Sequence, residues 1–293
     1  MKPSKMKENL ISDQASAFRA RQLATILTDA TLDLPLEELE YRGIDYDKLV
    51  PFYENIDFKK QLAKIKASQK SGQLVSHNQS TERPLSVVTL NENNLRAIAM
   101  MVDKVAVHIE MSGSNYHTAD MIGFVIGNPA TGYYASRDMS LLQKPELRAV
   151  IENGDIKKNV FNVKAQLILF KRLGLTLKGA QFDFLLVAYL LDTTDNDNEM
   201  STLAQRFDVY LTEDEEIYGK GAKYAVPDDE GLVLMHLAHK ADALIQLEMP
   251  ALSALQSHQQ THLYTEIELP LAHVLSEMEY QGFKIDRKRL QVI

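Results

Sequence analysis

Lys104-Val-Ala-Val-His-Ile-Glu110 is the stretch whose reading decides the fold. Four apolar residues, Val105, Ala106, Val107 and Ile109, are interrupted by one imidazole and closed by one carboxylate. The run is short, rich in β-branched residues and follows a helical pattern that ends near Asp103. It therefore predicts a buried strand entering an α/β sheet. The end of such a strand is a usual place for chemistry in open sheets. Side chains alternate along a strand with period two, so His108 and Glu110 belong to one face.

Outward from this strand, the chain alternates between the two periods. Leu85–Leu90 predicts a strand, and 91–103 a helix with Asn91 as N-cap. Asp120–Gly127 predicts a second core strand, 128–132 supplies hairpin chemistry, and Tyr133–Ser136 returns as a third. A helix over 144–152, a short strand over 159–161 and a helix from Val163 to Leu173 closed by Gly174 follow. Residues 177–184 predict a further strand or turn. Phe184–Leu191 is apolar all round and predicts a buried helix. Meander strands followed by alternating helices and short strands imply a mixed sheet with helices packed on it. From Asp228 onward the pattern is helical. Residues 1–68 form helices and turns, with Ser16 capping a helix to Leu27 and shorter helices over 34–40, 47–52 and 57–65. The Ser- and Gln-rich stretch that ends at Pro84 predicts a flexible linker.

Composition sets the outer bounds. The chain has 293 residues, 45% hydrophobic and 25% charged, with a net charge of -8. That size permits a sizeable core. The negative charge argues against a free-standing basic nucleic-acid-binding module. There are no cysteines, so disulfides and thiolate metal sites are excluded. The Lys-rich start lacks the apolar segment of a signal peptide. No apolar run reaches the roughly 18 residues of a membrane span. The expectation is a soluble, cytoplasmic protein without a membrane partner.

The chemistry begins with Glu110. Two carboxylates at an Asp-x-Glu spacing on one strand, joined by acids from other elements, hold two hard cations about 3.5–4 Å apart for phosphodiester hydrolysis. Here His108 holds the first position. An imidazole brings no negative charge and prefers softer metals. One glutamate does not make a Mg²⁺ site, so Glu110 is read as a residual polar residue at a strand end. His236 and His239 lie on one helix face, but the HExxH pattern is absent and a metal site is not expected. Gly219-Lys-Gly-Ala-Lys223 lacks P-loop spacing. Its lysines Lys220 and Lys223 offer weak contacts to a phosphate backbone, and a mobile solvated loop is the stronger reading. The acids Glu213, Asp214, Glu215 and Glu216 are read as a solvated helix start.

Several segments together resemble the bacterial DNA polymerase I family (family A). Leu23-Ala-Thr-Ile-Leu-Thr-Asp29 resembles the tail of its 5′ nuclease domain. Ser114-Asn-Tyr-His-Thr-Ala-Asp-Met-Ile-Gly123, the stretch from Leu177 to Asp192, and Asp214-Glu-Glu-Ile-Tyr-Gly-Lys-Gly-Ala-Lys223 resemble its proofreading-type domain. Glu266 to Asp286 resembles the first helices of its polymerase domain. The match runs in order along nearly the whole chain.

The resemblance implies a ribonuclease H-like mixed sheet with flanking helices and helical segments at both ends. It implies a 5′ nuclease remnant over 1–68, a linker over 69–84, a 3′–5′ exonuclease-like domain over 85–255 and polymerase helices over 256–293. It also implies four acidic metal ligands in an active member. The first motif falls on His108 and Glu110, the second acid on Gln166 with Asn162 upstream, and the third motif's Tyr and Asp on His236 and Lys240. Three of four carboxylates are replaced, one by a cation that opposes Mg²⁺. Some thermostable members carry a similarly degenerate domain. The implied chain is a fragment truncated at both ends. It has no polymerase or exonuclease activity and no cofactor of its own. Mg²⁺ and DNA belong to the full-length polymerase, and the rest of the polymerase domain is its partner. The alternative is an active exonuclease using His108 and Glu110 with Asp183 or Asp242. A third reading is DNA binding through Lys220 and Lys223.

Overall fold

The computed structural model describes residues 5–26, 46–56, 58, 61, 62, 65, 85–194 and 197–285. The chain divides into two units, Met1–Leu49 and Val50–Ile293. In the first, α1 (Lys5–Ser12) is followed closely by α2 (Gln14–Ala24). Ser16 is not the N-cap of α2. The Asp13 N–H donates to the Asn9 carbonyl and Ala17 N–H to the Asp13 carbonyl. Helical hydrogen bonding thus runs through Asp13 and leaves Ser16 inside the helix. A third helix, α3, spans Tyr46–Asn55. The helix expected over 34–40 and the linker over 69–84 lie outside the described residues.

The second unit is built on six strands: β1 (Val87–Thr89), β2 (Lys104–Met111), β3 (Met121–Asn128), β4 (Gly132–Ser136), β5 (Lys157–Val160) and β6 (Ala180–Asp183). Their order is β1-β4-β3-β2-β5-β6. The pairs β2–β3 and β3–β4 are antiparallel, whereas β1–β4, β2–β5 and β5–β6 are parallel. This is the mixed sheet read from the alternation of strands and helices.

Helices cover both faces. Along β2, Val105, Val107 and Ile109 join one core with Leu147 and Ile151 of α4 (Pro145–Ile151) and with Val163, Leu167 and Phe170 of α5 (Val163–Arg172). Ala106 joins the opposite core. That core includes Val187 of α6 (Phe184–Leu191), Leu203 of α7 (Met200–Gln205), Tyr218 of α8 (Asp214–Tyr218), and Leu237 and Leu244 of α9 (Glu230–Ser257). Burying both faces turns the strand into a near-continuous apolar run, broken only where chemistry or register requires a polar group.

The helix read over 91–103 is a 3-10 helix over Leu95–Met100. Asn94 explains the difference. Its Oδ1 accepts from the Asn91 N–H at 2.9 Å and its Nδ2 donates to the Thr89 carbonyl at 2.9 Å. These side-chain bonds give the backbone a turn in place of the first α-helical bonds. Three N-caps are not read from the sequence: Asn162 Oδ1 accepts from the Ala165 N–H, Asp183 from Leu185 and Asp229 from Leu232. Gly174 ends α5 at φ +72°.

After α9 the chain makes a π-helical turn over Leu263–Glu268 and continues as α10 (Leu269–Gln281). Tyr264 reaches the free edge of β6. Its hydroxyl accepts from the Asp183 N–H at 2.8 Å and donates to the Gln181 carbonyl at 3.3 Å. Glu279 of α10 accepts from Tyr116 Oη at 2.7 Å and from Lys164 Nζ of α5 at 2.8 Å, and Lys171 of α5 pairs with Glu277. Among the described residues no helix is long and apolar enough to cross a membrane.

Candidate functional site

Beyond Ala106, β2 loses its parallel partner, because its register with β5 ends at Ala106 and Asn159. The backbone of Ile109 therefore needs other partners on that side. Gln166 of α5 supplies them: its Oε1 accepts from the Ile109 N–H at 2.8 Å and its Nε2 donates to the Ile109 carbonyl at 3.1 Å. The same Nε2 lies 3.3 Å from His108 Nδ1, and His108 Nε2 lies 3.3 Å from Glu110 Oε2.

Helix α9 crosses this end of the sheet. Gly123 of β3 sits opposite Glu110 in register. A Cβ there would lie 2.9 Å from the Ser136 carbonyl oxygen and 3.2 Å from Leu237 of α9, so the bare glycine lets the helix approach the sheet. The approach delivers Lys240. Its Nζ donates to Glu110 Oε2 at 2.5 Å and to Asp214 Oδ2 at 2.9 Å. One turn earlier, His236 Nε2 lies 2.7 Å from Asp214 Oδ1. At 3% and 7% exposure, Lys240 and Glu110 are out of reach of solvent screening.

Burial alone would raise the Glu110 carboxyl. The Lys240 charge and the His108 contact outweigh it and hold the group well below the usual carboxylate range. Asp214 is also lowered: burial opposes its charge, but His236 and Lys240 prevail. Lys240 is raised above the ordinary lysine value, because Glu110 and Asp214 overcome its desolvation. The buried hydroxyl of Tyr218 and Nδ1 of His236 have no hydrogen-bond partner among the described residues.

The structure thus brings His108, Glu110, Gln166, His236 and Lys240 into one cluster. Asn162 is placed differently. It caps α5 in a left-handed conformation at φ 58°, and its N–H donates to Asp183 Oδ1 at 2.8 Å. Lys220 and Lys223 sit around a 3-10 turn over Gly221–Lys223, and Lys220 pairs with Glu215 at 2.6 Å.

Asp214 corrects the reading of 213–216 as a solvated helix start. Glu215 and Glu216 are exposed, but Asp214 is half-buried and takes part in the cluster. The signal was in the spacing: Asp214 lies four residues before Tyr218, so both share the inward face of α8.

The two other candidate acids are already engaged. Asp183 accepts from the N–H groups of Asn162, Val163 and Leu185 at 2.8, 2.9 and 3.1 Å. Burial pushes it up to about 6 against those donors. Asp242 accepts from Tyr133 Oη at 2.7 Å and from Gln246 Nε2 at 2.6 Å.

A hard divalent cation needs about six or more oxygen ligands around it. Glu110 and Asp214 instead converge on an ammonium, and Gln166 is committed to backbone. Among the described residues no group of three or more His, Asp or Glu is arranged to hold a metal ion. The residues present do not fit a Mg²⁺ pair.

Residues 107–247 match the family model described as DNA polymerase I, ribonuclease H-like domain. The chain is 34% identical over 292 residues to DNA polymerase I of Geobacillus stearothermophilus, covering 99% of this chain and 32% of that relative. It therefore spans about a third of the length of the curated relatives it matches. The POL domain of Pol1 from M. smegmatis, solved with DNA primer-template and dNTP, superposes with a TM-score of 0.55 at 19% identity over 69% of this chain and 33% of that one. Brucella melitensis NrnC superposes with a TM-score of 0.52 at 16% identity, covering 69% of this chain and 94% of its own. The two structural likenesses speak to the fold alone.

Proposed function

Since this chain belongs to the DNA polymerase I family through its ribonuclease H-like domain, we propose that it is the middle portion of such a polymerase, serving DNA replication and repair. In this reading, 1–68 close a 5′ nuclease region, 69–84 link, 85–255 form the proofreading-type domain and 256–293 open the polymerase domain. The proofreading-type domain cuts no DNA. It is a cytoplasmic scaffold that spaces nuclease from polymerase, and DNA and Mg²⁺ are handled by other parts of the whole protein.

One observation carries the reading: the Lys240 ammonium lies 2.5 Å from Glu110 and 2.7 Å from Asp214, where a nuclease needs cations that activate water. A fixed positive charge there repels a divalent ion and activates nothing. The scaffold role has its own support. Ile267, Leu271, Val274 and Met278 are exposed at helical spacing along the π turn and α10. Such a stripe is what a helix presents to a partner, and the remainder of a polymerase domain fits it.

The test is an exonuclease assay on the purified chain, using 3′-labelled single-stranded DNA with Mg²⁺ or Mn²⁺. The expected result is no digestion. Digestion from the 3′ end that disappears in Glu110→Ala would overturn the proposal.

A further inference from the structure

The cluster around Lys240 does more than exclude metal. It joins three elements that are distant in sequence: β2 through Glu110, α8 through Asp214 and α9 through Lys240 itself. Of these, α8 is the weakest on its own. It is five residues long, Asp214–Tyr218, and has no side-chain N-cap. A helix that short has no stability of its own in water. Its hold on the domain is the buried ring of Tyr218, the packing of Ile217, a bond from the Asp214 N–H to Glu199, and the Asp214 carboxylate, which meets both His236 and Lys240.

Two carboxylates brought to one point repel each other, and here the Glu110 charge raises the cost of charging Asp214. Nuclease centres overcome that repulsion with metal ions. In this chain one side chain is positioned to do so.

We propose that Lys240 is a built-in counter-cation. Its ammonium performs the structural work a divalent ion does in a metal-holding site, pinning α8 to the sheet so that the domain keeps its shape in the absence of metal. The claim stands on the three-way geometry and is independent of whether the domain is silent as a nuclease. A chain that digests DNA yet has a metal-insensitive Tm would sink the functional reading and leave this one intact.

The experiment is thermal unfolding of the full chain in EDTA, in millimolar Mg²⁺ and in millimolar Mn²⁺. The wild-type Tm is expected to agree within about 1 °C in all three. Lys240→Met should lower the Tm in EDTA by about 5–10 °C, the loss that follows when buried charges are left without their partner. Mn²⁺ should recover at least half of that loss, because the two carboxylates are then open to a cation. Lys240→Met combined with Glu110→Gln should no longer respond. If Lys240→Met does not fold, Glu110→Gln is read in its place: it should lower the Tm, with no recovery by either ion. Any of four results would overturn the proposal: a wild-type Tm that climbs several degrees with Mn²⁺, a Lys240→Met chain as stable as wild type, a loss that Mn²⁺ leaves untouched, or a Glu110→Gln chain that melts with wild type.

Discussion

Gln166 makes with one side-chain amide the two backbone hydrogen bonds that Ile109 would otherwise make to a neighbouring strand, accepting at 2.8 Å and donating at 3.1 Å. A side chain stands in here for a strand. The amide is suited to this because it carries an acceptor and a donor side by side, which a carboxylate does not.

Placing an acid there should therefore harm the domain. Gln166→Asp is expected to lose both contacts, since the shorter side chain does not span them. The cost is about 1–3 kcal/mol for each orphaned backbone group, read from urea unfolding. No nuclease activity should accompany it. A Gln166→Asp chain as stable as wild type would contradict the assignment.

Glu110 and Asp214 make acid stability a second test. Their folded pKa values lie below the ordinary 4.5 and 3.8. Their contribution is thus complete above those values and lost as pH falls below them. The raised Lys240 pKa reports the same attraction from the other side, so the two are not added. Glu110→Gln is expected to cost about 3–5 kcal/mol at neutral pH. It should also flatten the decline of stability below pH 4.5, as followed by denaturant melts across the acid range.

Lys158 predicts the opposite slope. It is buried in β5, donates to the Asn153 carbonyl, and is pushed down to about 8 by burial. A lysine lowered in the fold disfavours folding while charged, so stability should rise as pH climbs from about 8 to the ordinary 10.5. Lys158→Met should stabilise the chain at pH 7 by about 1–3 kcal/mol. The gain should vanish at high pH, and melting curves at pH 7 and pH 10.5 distinguish the two regimes.

Tyr264→Phe removes the hydroxyl that serves the β6 edge. The buried Asp183 N–H then has no acceptor, at a cost of about 1–3 kcal/mol. Amide exchange at Asp183 should quicken, while α10 keeps its helicity.

Much of this is legible in the sequence. The β2–β4 meander showed through because buried strands carry unbroken apolar runs and the turn at 128–132 carries its own chemistry. The helix α5 showed through its closing Gly174, α6 through its unbroken apolar run and α9 through its helical spacing. The 3-10 turn at 95–100 did not, because Asn94 acts on backbone groups that no periodicity records. In the site, five of the residues placed by family resemblance, His108, Glu110, Gln166, His236 and Lys240, lie together, and Asn162 lies apart. Their roles did not follow from placement. Gln166 works on backbone, Asn162 is a cap, and Asp214 passed for one acid among four because charge runs conceal which member faces inward.

The Glu279 contacts with Tyr116 and Lys164 have a mechanical consequence. They fix the far end of α10, and Lys171 with Glu277 fixes it again beside α5. A thirteen-residue helix is about 20 Å long. Held at two charged points, it is an aimed lever and not a tether. Both glutamates lie in the last five residues of the helix, so loosening either one would free that end to swing by ångströms.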